Sequence, residues 1–136
     1  MRVVFDTNVV VYATTNQTEY AEAQKLVMAV AEEKIEGLIT ANSITDIYYI
    51  LRKRIGDTPA RDAIWNMMTV FDVVETDADT CIAALGSPMK DFEDAVVTEC
   101  AKKVSADFIV TEDKDFLAEE NSPVKTISVK DLTALI

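Results

Sequence analysis

Four aspartates of this sequence occupy positions where a carboxylate could do chemistry, and they are Asp6, Asp46, Asp94 and Asp113. Asp6 directly follows the apolar stretch "VVF", and Asp113 follows a second β-type stretch in "FIVTEDKDF". An ionised carboxylate enclosed by apolar side chains needs an opposite charge or hydrogen bonds. The sequence has no histidine, so histidine is excluded as a partner for these acids.

Asp94 lies in register with an apolar stripe of a predicted helix. Val97, Ala101 and Val104 follow it at helical spacing, so its carboxylate belongs to the face that packs inward. Asp46 lies near the start of another predicted helix. We therefore expect the four acids to come from four separate segments and to meet at one site.

Carboxylates that crowd together repel one another, and a cation relieves that repulsion. An all-oxygen set favours a hard divalent ion, Mg²⁺ or Mn²⁺, over zinc. Such an ion makes a water molecule nucleophilic and neutralises a phosphate. The absence of histidine excludes serine–histidine, cysteine–histidine and histidine-pair mechanisms.

The elements that would position these acids alternate between short strands and amphipathic helices. The predicted strands are Arg2–Phe5, Leu38–Thr40, Val73–Glu75, Phe108–Thr111 and Lys125–Val129. The predicted helices are Glu19–Lys34, Ile44–Ile55, Pro59–Val70, Asp79–Leu85, Phe92–Val104 and a last one from Lys130.

This alternation predicts an α/β fold, a three-layer α/β/α sandwich around a mainly parallel central sheet. Thr58 before Pro59 favours a helix start there, while Gly56 and Gly86 favour helix ends. Parallel sheets bind ligands beyond the carboxyl ends of their strands. Asp6 and Asp113 both lie at that edge.

Composition limits the partners of the chain. Its 136 residues and 49% hydrophobic content predict a single domain over 1–136. The net charge of −11 excludes nucleic-acid binding through a general basic surface. No apolar run is long enough to cross a membrane and no signal peptide is recognisable. We expect a cytoplasmic protein in which Cys81 and Cys100 are reduced.

Three motifs together resemble the PIN domain family, in particular the small prokaryotic PIN proteins related to VapC-type toxins. They are "DTN" at Asp6–Asn8, "DFEDA" at Asp91–Ala95 and "IVTEDKDF" at Ile109–Phe116. The resemblance spans essentially the whole chain. It implies a metal-dependent ribonuclease, plausible as the toxin of a toxin–antitoxin pair, and it implies a homodimer and an antitoxin protein as partner.

The resemblance also implies roles for individual residues. Asp6, Asp46, Asp94 and Asp113 would hold Mg²⁺ or Mn²⁺ directly or through water and serve in catalysis. Asp46 departs from the family pattern, which more often has glutamate there. Supporting polar roles fall to Asn8, Thr111, Asp91 and Asp115.

Each acid also has a purely structural alternative. Asp6 and Asp91 could cap the helices that follow them. Asp46 could complete a capping box with Ser43. Of Asp113 and Asp115, one is expected only to cap a helix, and the resemblance favours Asp113 as the ligand.

Two further groups have a structural and a functional interpretation. Lys53 shares a predicted helix face with Asp46 and could contact an RNA backbone, although a basic residue at a helix C-terminus also stabilises the dipole. Trp65, Met67 and Met68 could form a dimer or antitoxin groove, but we expect them in the core.

Two other functions compete with the ribonuclease. One is a PIN fold kept as a non-catalytic RNA- or protein-binding module. The other is a Mg²⁺-binding receiver domain of a signalling pathway, which would have paired acids after its first strand. Only Asp6 stands there, so the receiver is the weaker alternative.

Overall fold

The computed structural model describes residues 1–15 and 17–136, apart from the side chain of Glu19. Within these residues the chain forms one sheet of parallel strands. The strands are β1 (Arg2–Phe5), β2 (Glu36–Thr40), β3 (Asp72–Val74), β4 (Phe108–Val110) and β5 (Thr126–Ile127).

Helices follow every strand, and a 3-10 turn at Thr18–Tyr20 precedes the second of them. They are α1 (Thr7–Ala13), α2 (Ala21–Ala31), α3 (Ala41–Ile55), α4 (Asp57–Val70), α5 (Ala78–Leu85), α6 (Phe92–Lys103), α7 (Lys114–Leu117) and α8 (Val129–Leu135).

The helices cover both faces of the sheet because strand side chains alternate between the two sides. Val3 and Phe5 face a core shared with α1 to α4 and α8. Val4 and Ile109 face a second core shared with α5, α6 and α7. The predicted three-layer α/β/α sandwich with a parallel sheet is confirmed.

The strand order is β3-β2-β1-β4-β5, so the order of connection reverses on either side of β1. Such a reversal opens a crevice at the carboxyl ends of the two strands that flank it. Here these strands are β1 and β4, which pair in parallel with Phe5 opposite Val110. The order differs from the 2-1-3-4-5 arrangement of receiver domains, so the receiver alternative is wrong.

All five predicted strands are present; the ends of β1 agree and those of the others differ by at most two residues. Two short helices, α1 and α7, were not predicted; their N-caps are Asp6 and Asp113. The three valines Val9–Val11 are β-branched and give α1 no amphipathic pattern, because all three are buried. α4 begins at Asp57 with Gly56 as its N-cap, so the predicted start at Pro59 with Thr58 as N-cap is two residues too late.

The expected burial of the aromatic and methionine residues of α4 is wrong for two of three. Met67 is 9% exposed, whereas Trp65 is 73% and Met68 51% exposed. Only the face of α4 with Ala60 and Met67 is buried. Trp65 and Met68 lie instead along an open apolar groove between α3 and α4.

Two remaining expectations concern membranes and cysteines. None of the helices in the described part of the chain has the length and hydrophobicity needed to span a bilayer. Cys81 and Cys100 are both free thiols, as predicted.

Candidate active site

Asp6 connects the first strand to the first helix. Its backbone N–H continues the ladder to the Val110 carbonyl at 3.0 Å, and its side chain caps α1. Oδ1 accepts from the Thr7 backbone N–H at 2.9 Å, and Oδ2 accepts from the Thr111 hydroxyl at 2.8 Å. Capping and a functional role are compatible, because a carboxylate can accept further bonds at both oxygens.

Thr111 joins the ends of β1 and β4. It is fully buried, and its hydroxyl donates to Asp6 while accepting from the Asp113 backbone N–H at 3.1 Å. The one side chain therefore fixes two of the predicted metal ligands relative to each other. Thr111 is a positioning residue, not merely the end of a strand.

Burial raises the pKa of the Asp6 carboxyl, and the nearby Asp113 and Asp46 carboxylates raise it further. The hydrogen bonds from Thr111 and Thr7 oppose that shift because they stabilise the ionised form. The influence of Asp113 and Asp46 on Asp6 means that three separate elements bring carboxylates to one end of the sheet.

Asp94 lies in the first turn of α6 and is half-buried. Burial, followed by repulsion from Asp91, Asp6, Asp113 and Glu93, raises its pKa to about 7. This partial burial agrees with the position of Asp94 on the apolar stripe of the predicted helix. The cap of α6 is Asp91, whose Oδ1 accepts from the Asp94 backbone N–H at 2.9 Å.

The capping role near α7 falls to Asp113 and not to Asp115. Asp113 Oδ1 accepts from the Asp115 and Phe116 backbone N–H groups at 2.8 and 3.3 Å. The expected division between a ligand and a cap is therefore wrong, since the favoured ligand is itself the cap. Its Oδ2 is not engaged by that cap.

Asp46 is half-buried in the second turn of α3. The capping box with Ser43 is wrong because the helix begins earlier, at Ala41. Ser43 is buried and its hydroxyl pairs with that of Thr40 at 2.8 Å. Asp46 instead faces Glu93 closely enough for a side-chain hydrogen bond, which raises the pKa of Glu93.

A cleft of about 440 Å³ opens between α6 and the β4–α7 segment. Five carboxylates and one ammonium line it, namely those of Asp91, Asp94, Asp113, Asp115, Glu119 and Lys90. The Lys90 backbone N–H donates to Glu119 Oε1 at 2.6 Å, which holds the segment before α6 against the loop after α7. Lys53 is exposed in the last turn of α3 and does not line this cleft.

Sequence reasoning missed three residues of this region: Lys90, Glu93 and Glu119. Glu93 lies inside the "DFEDA" motif directly before Asp94, so the sequence could have indicated that it belongs to the acidic site. Lys90 and Glu119 had no such signal because the segment 87–91 and the segment after α7 meet only in three dimensions.

The residues present fit a hard divalent cation by their chemistry, which is entirely oxygen-based. Asn8, in the first turn of α1, adds a buried side-chain Oδ1 that has no hydrogen-bond partner within the described residues. A buried acceptor of this kind requires a donor, a water or a cation. Across residues 1–15 and 17–136, however, no three acidic or cysteine side chains lie close enough to hold a metal as they stand.

Residues 2–115 match the family model described as PIN domain. Among curated proteins, none matches the chain significantly.

Several solved structures share the fold. VapBC2 from Rickettsia felis, bound to a DNA fragment from its promoter, is 14% identical, with 94% of this chain and 98% of that chain covered at a TM-score of 0.70. Mycobacterium tuberculosis VapC20, a sarcin-ricin loop cleaving toxin, is 18% identical, with 85% of this chain and 93% of that chain covered at a TM-score of 0.67. PAE2754 from Pyrobaculum aerophilum is 19% identical, with 99% of this chain and 94% of that chain covered at a TM-score of 0.66. At these identities the likeness shows the fold.

Proposed function

This chain belongs to the PIN domain family, and from that premise we propose that it is a metal-dependent endoribonuclease. The observation that carries the proposal is the concentration of carboxylates around Asp94. Burial, followed by repulsion from the carboxylates of Asp91, Asp6, Asp113 and Glu93, raises the pKa of Asp94 to about 7. A protein gains nothing in stability from such mutual repulsion, and a bound cation removes it.

Mg²⁺ or Mn²⁺ would be held by Asp6, Asp94 and Asp113, with Asp46 as a further ligand directly or through water. When bound, the ion supplies positive charge for a phosphate and lowers the pKa of a water that attacks it. The products of such a hydrolysis are a 5′-phosphate and a 3′-hydroxyl.

The remaining residues of the site orient the acidic side chains and supply positive charge for an RNA phosphate. Thr111 holds Asp6 through its hydroxyl and Asp113 through its backbone. Asp91 and Asp113 fix the starts of α6 and α7 by capping them. Lys90 is the cation that lines the acidic cleft, so it can meet an RNA phosphate where the surface otherwise repels one.

The test uses a mixed pool of labelled RNAs, with Mg²⁺ or Mn²⁺, with EDTA, and with the Asp94→Asn variant. The matched control is Asp62→Asn, an exposed acid of α4. We expect cleavage that needs the metal, survives in Asp62→Asn and falls by at least about a hundredfold in Asp94→Asn. Cleavage that persists in EDTA or is equal in both variants would refute the assignment.

One observation favours the second candidate, a non-catalytic PIN-fold binding module. The acids are not within shared ligand distance of one another in the described residues. Isothermal titration with Mg²⁺ and Mn²⁺, taken together with the cleavage assay, separates the two functions, and the absence of binding heat would favour the module. Metal binding without turnover on any RNA would also favour the module.

For a partner protein, we assign the groove between α3 and α4 to the antitoxin of a toxin–antitoxin pair. The groove is lined by apolar and aromatic side chains, including the exposed Trp65, Met68 and Tyr49. Such a surface accepts the apolar face of an amphipathic segment. The net charge of −11 favours a basic segment by electrostatic attraction.

The partner is tested by mixing the chain with the candidate antitoxin encoded beside it and measuring the mass by light scattering. Trp65→Ser should weaken the complex without lowering the melting temperature, since Trp65 is 73% exposed. A concentration-dependent doubling of mass in the chain alone, lost in Trp65→Ser, would assign the groove to the expected homodimer instead.

A further inference from the structure

A second, smaller cavity lies at the carboxyl edge of the sheet, where Glu112 follows β4 and Val129 follows β5, and it differs in character from the acidic cleft. Its volume is about 220 Å³ and its walls include Tyr12, Tyr20, Glu22, Glu112 and Lys130. The two tyrosine rings stack in parallel, with centroids 4.4 Å apart and an angle of 4° between their planes. Stacked aromatic rings beside polar groups form a surface on which another flat ring can stack.

The two cavities are walled by consecutive residues. Glu112 lines the aromatic cavity and Asp113 lines the acidic cleft, although their Cα atoms are only about 3.8 Å apart along the chain. Tyr12 lies near the C-terminal end of α1, the helix that Asp6 caps at its N-terminus. A nucleotide whose phosphate lies in the cleft could therefore place its own or a neighbouring base in the aromatic cavity.

The charges around the cavity favour a neutral ligand. Glu22 is paired with Lys25 at 2.8 Å, and the Glu112 carboxylate shares the cavity with the Lys130 ammonium. Among the described residues the walls carry Glu22, Glu112 and Lys130, and Lys25 offsets Glu22 from outside the cavity. A neutral base adds no charge to this set, whereas a cationic side chain, such as arginine from a partner protein, would add one.

Glu112 limits which base fits. Its Oε1 accepts from the Val129 backbone N–H at 2.8 Å, which fixes the carboxylate at the start of α8. An ionised carboxylate only accepts hydrogen bonds. Guanine presents two adjacent donors, N1–H and the N2 amino group, next to the acceptor O6, so Glu112 and Lys130 together match its Watson–Crick edge.

We propose that the cavity between Tyr12, Tyr20, Glu112 and Lys130 is a guanine-binding subsite for RNA held at the neighbouring acidic cleft. The base stacks on the tyrosine pair, Glu112 accepts from its N1–H and amino groups, and Lys130 donates to its O6. The subsite rests on the proposed ribonuclease function and adds to it a preference for guanine next to the cleaved bond.

The test measures binding separately from cleavage. Fluorescence anisotropy is recorded for labelled UUGUU, UUAUU and UUUUU, and for UUIUU in which inosine lacks the N2 amino group, in Mg²⁺ with the full-length Asp94→Asn chain. We expect UUGUU to bind roughly 5- to 100-fold more tightly than UUAUU, with UUIUU between them.

Variants of the subsite are made in the same background. Glu112→Gln keeps an acceptor for the Val129 N–H but adds a donor, so it should abolish the preference for guanine. Glu99→Gln, an acid of α6 outside both cavities, should preserve it. Tyr12→Leu should weaken binding of all four RNAs by about 5- to 100-fold, whereas Tyr12→Phe retains the stacked ring and should bind as before.

Equal affinity for UUGUU and UUAUU, or a guanine preference that survives Glu112→Gln, would overturn the subsite. The same conclusion would follow if argininamide bound in the cavity more tightly than 5′-GMP. The inosine series needs no further variant beyond Asp94→Asn, so it remains decisive if Tyr12→Leu fails to fold. Guanine-selective binding by a chain that cleaves no RNA would refute the nuclease but retain the subsite, and metal-dependent cleavage with no base preference would do the reverse.

Discussion

The Thr111 hydroxyl donates a hydrogen bond of 2.8 Å to Asp6 Oδ2, across 105 residues of sequence. It is buried at the point where β1 and β4 end side by side. The same oxygen accepts from the Asp113 backbone N–H at 3.1 Å. The orientation of two acidic residues at the sheet edge thus depends on one hydroxyl group.

Thr111→Val keeps the shape of this side chain and removes its hydroxyl. Asp6 then loses a donor that stabilises its ionised form, and its pKa should rise further. We expect RNA cleavage, or Mg²⁺ affinity by titration, to fall by about 10- to 100-fold. Thr111→Ser retains the hydroxyl and should restore most of the loss; if both variants are equally impaired, packing rather than the hydrogen bond is responsible.

The metal-free protein should become less stable as the pH rises through neutrality. The folded-state pKa of Asp94 is about 7 against an ordinary 3.8, so the folded state holds a proton that the unfolded state releases. The resulting stabilisation is complete below about pH 4 and is lost as the pH rises through about 7.

Melting temperatures in EDTA at pH 5 and pH 8 measure this effect. The decrease between the two should be smaller in Asp94→Asn, which has no proton to lose, than in the wild type or in Asp62→Asn. Mg²⁺ should raise the melting temperature more at pH 8 than at pH 5, since the ion and the proton compete. Identical pH profiles for the wild type and Asp94→Asn would contradict the burial of an acidic cluster.

Lys90 should contribute more to RNA binding than Lys53. Both side chains are exposed, but Lys90 lines the cleft, whereas Lys53 lies at the end of α3, outside it. Loss of one phosphate contact weakens binding of all sequences alike and reduces the slope of log affinity against log salt by about 1. We expect this in Lys90→Ala, as a raised KM with kcat nearly unchanged, and a smaller effect in Lys53→Ala. A larger effect in Lys53→Ala than in Lys90→Ala would indicate that RNA binds along α3 instead.

Gly37 is required by packing in the middle of β2. A Cβ added there would lie 2.6 and 2.7 Å from the two methyl carbons of Val30 and 2.9 Å from the Phe71 ring. Gly37→Ala should therefore destabilise the fold by about 1–3 kcal/mol. Gly86→Ala is the matched control, because its Cβ would meet only the Ala83 carbonyl, at 3.7 Å. Urea denaturation of both variants measures the difference, and equal stabilities would show that Val30 and Phe71 can move away.

The sequence by itself determined the fold class and the sheet edge at which the acids gather. Short β-branched strands between amphipathic helices require a parallel sheet covered on both faces, and Asp6 and Asp113 follow two of those strands directly. The stripe position of Asp94 was visible for the same reason, since helical periodicity is a local property.

Only the tertiary structure decided which strands are neighbours and hence which side chains meet. The pairing of β1 with β4 brings Thr111 to Asp6, and the meeting of the segment 87–91 with the loop after α7 brings Lys90 into the cleft. Likewise, the exposure of Trp65 and the stacking of Tyr12 on Tyr20 depend on how whole helices pack. Local sequence patterns indicate which face of a helix or strand is buried, whereas contacts between distant segments are set only by the tertiary fold.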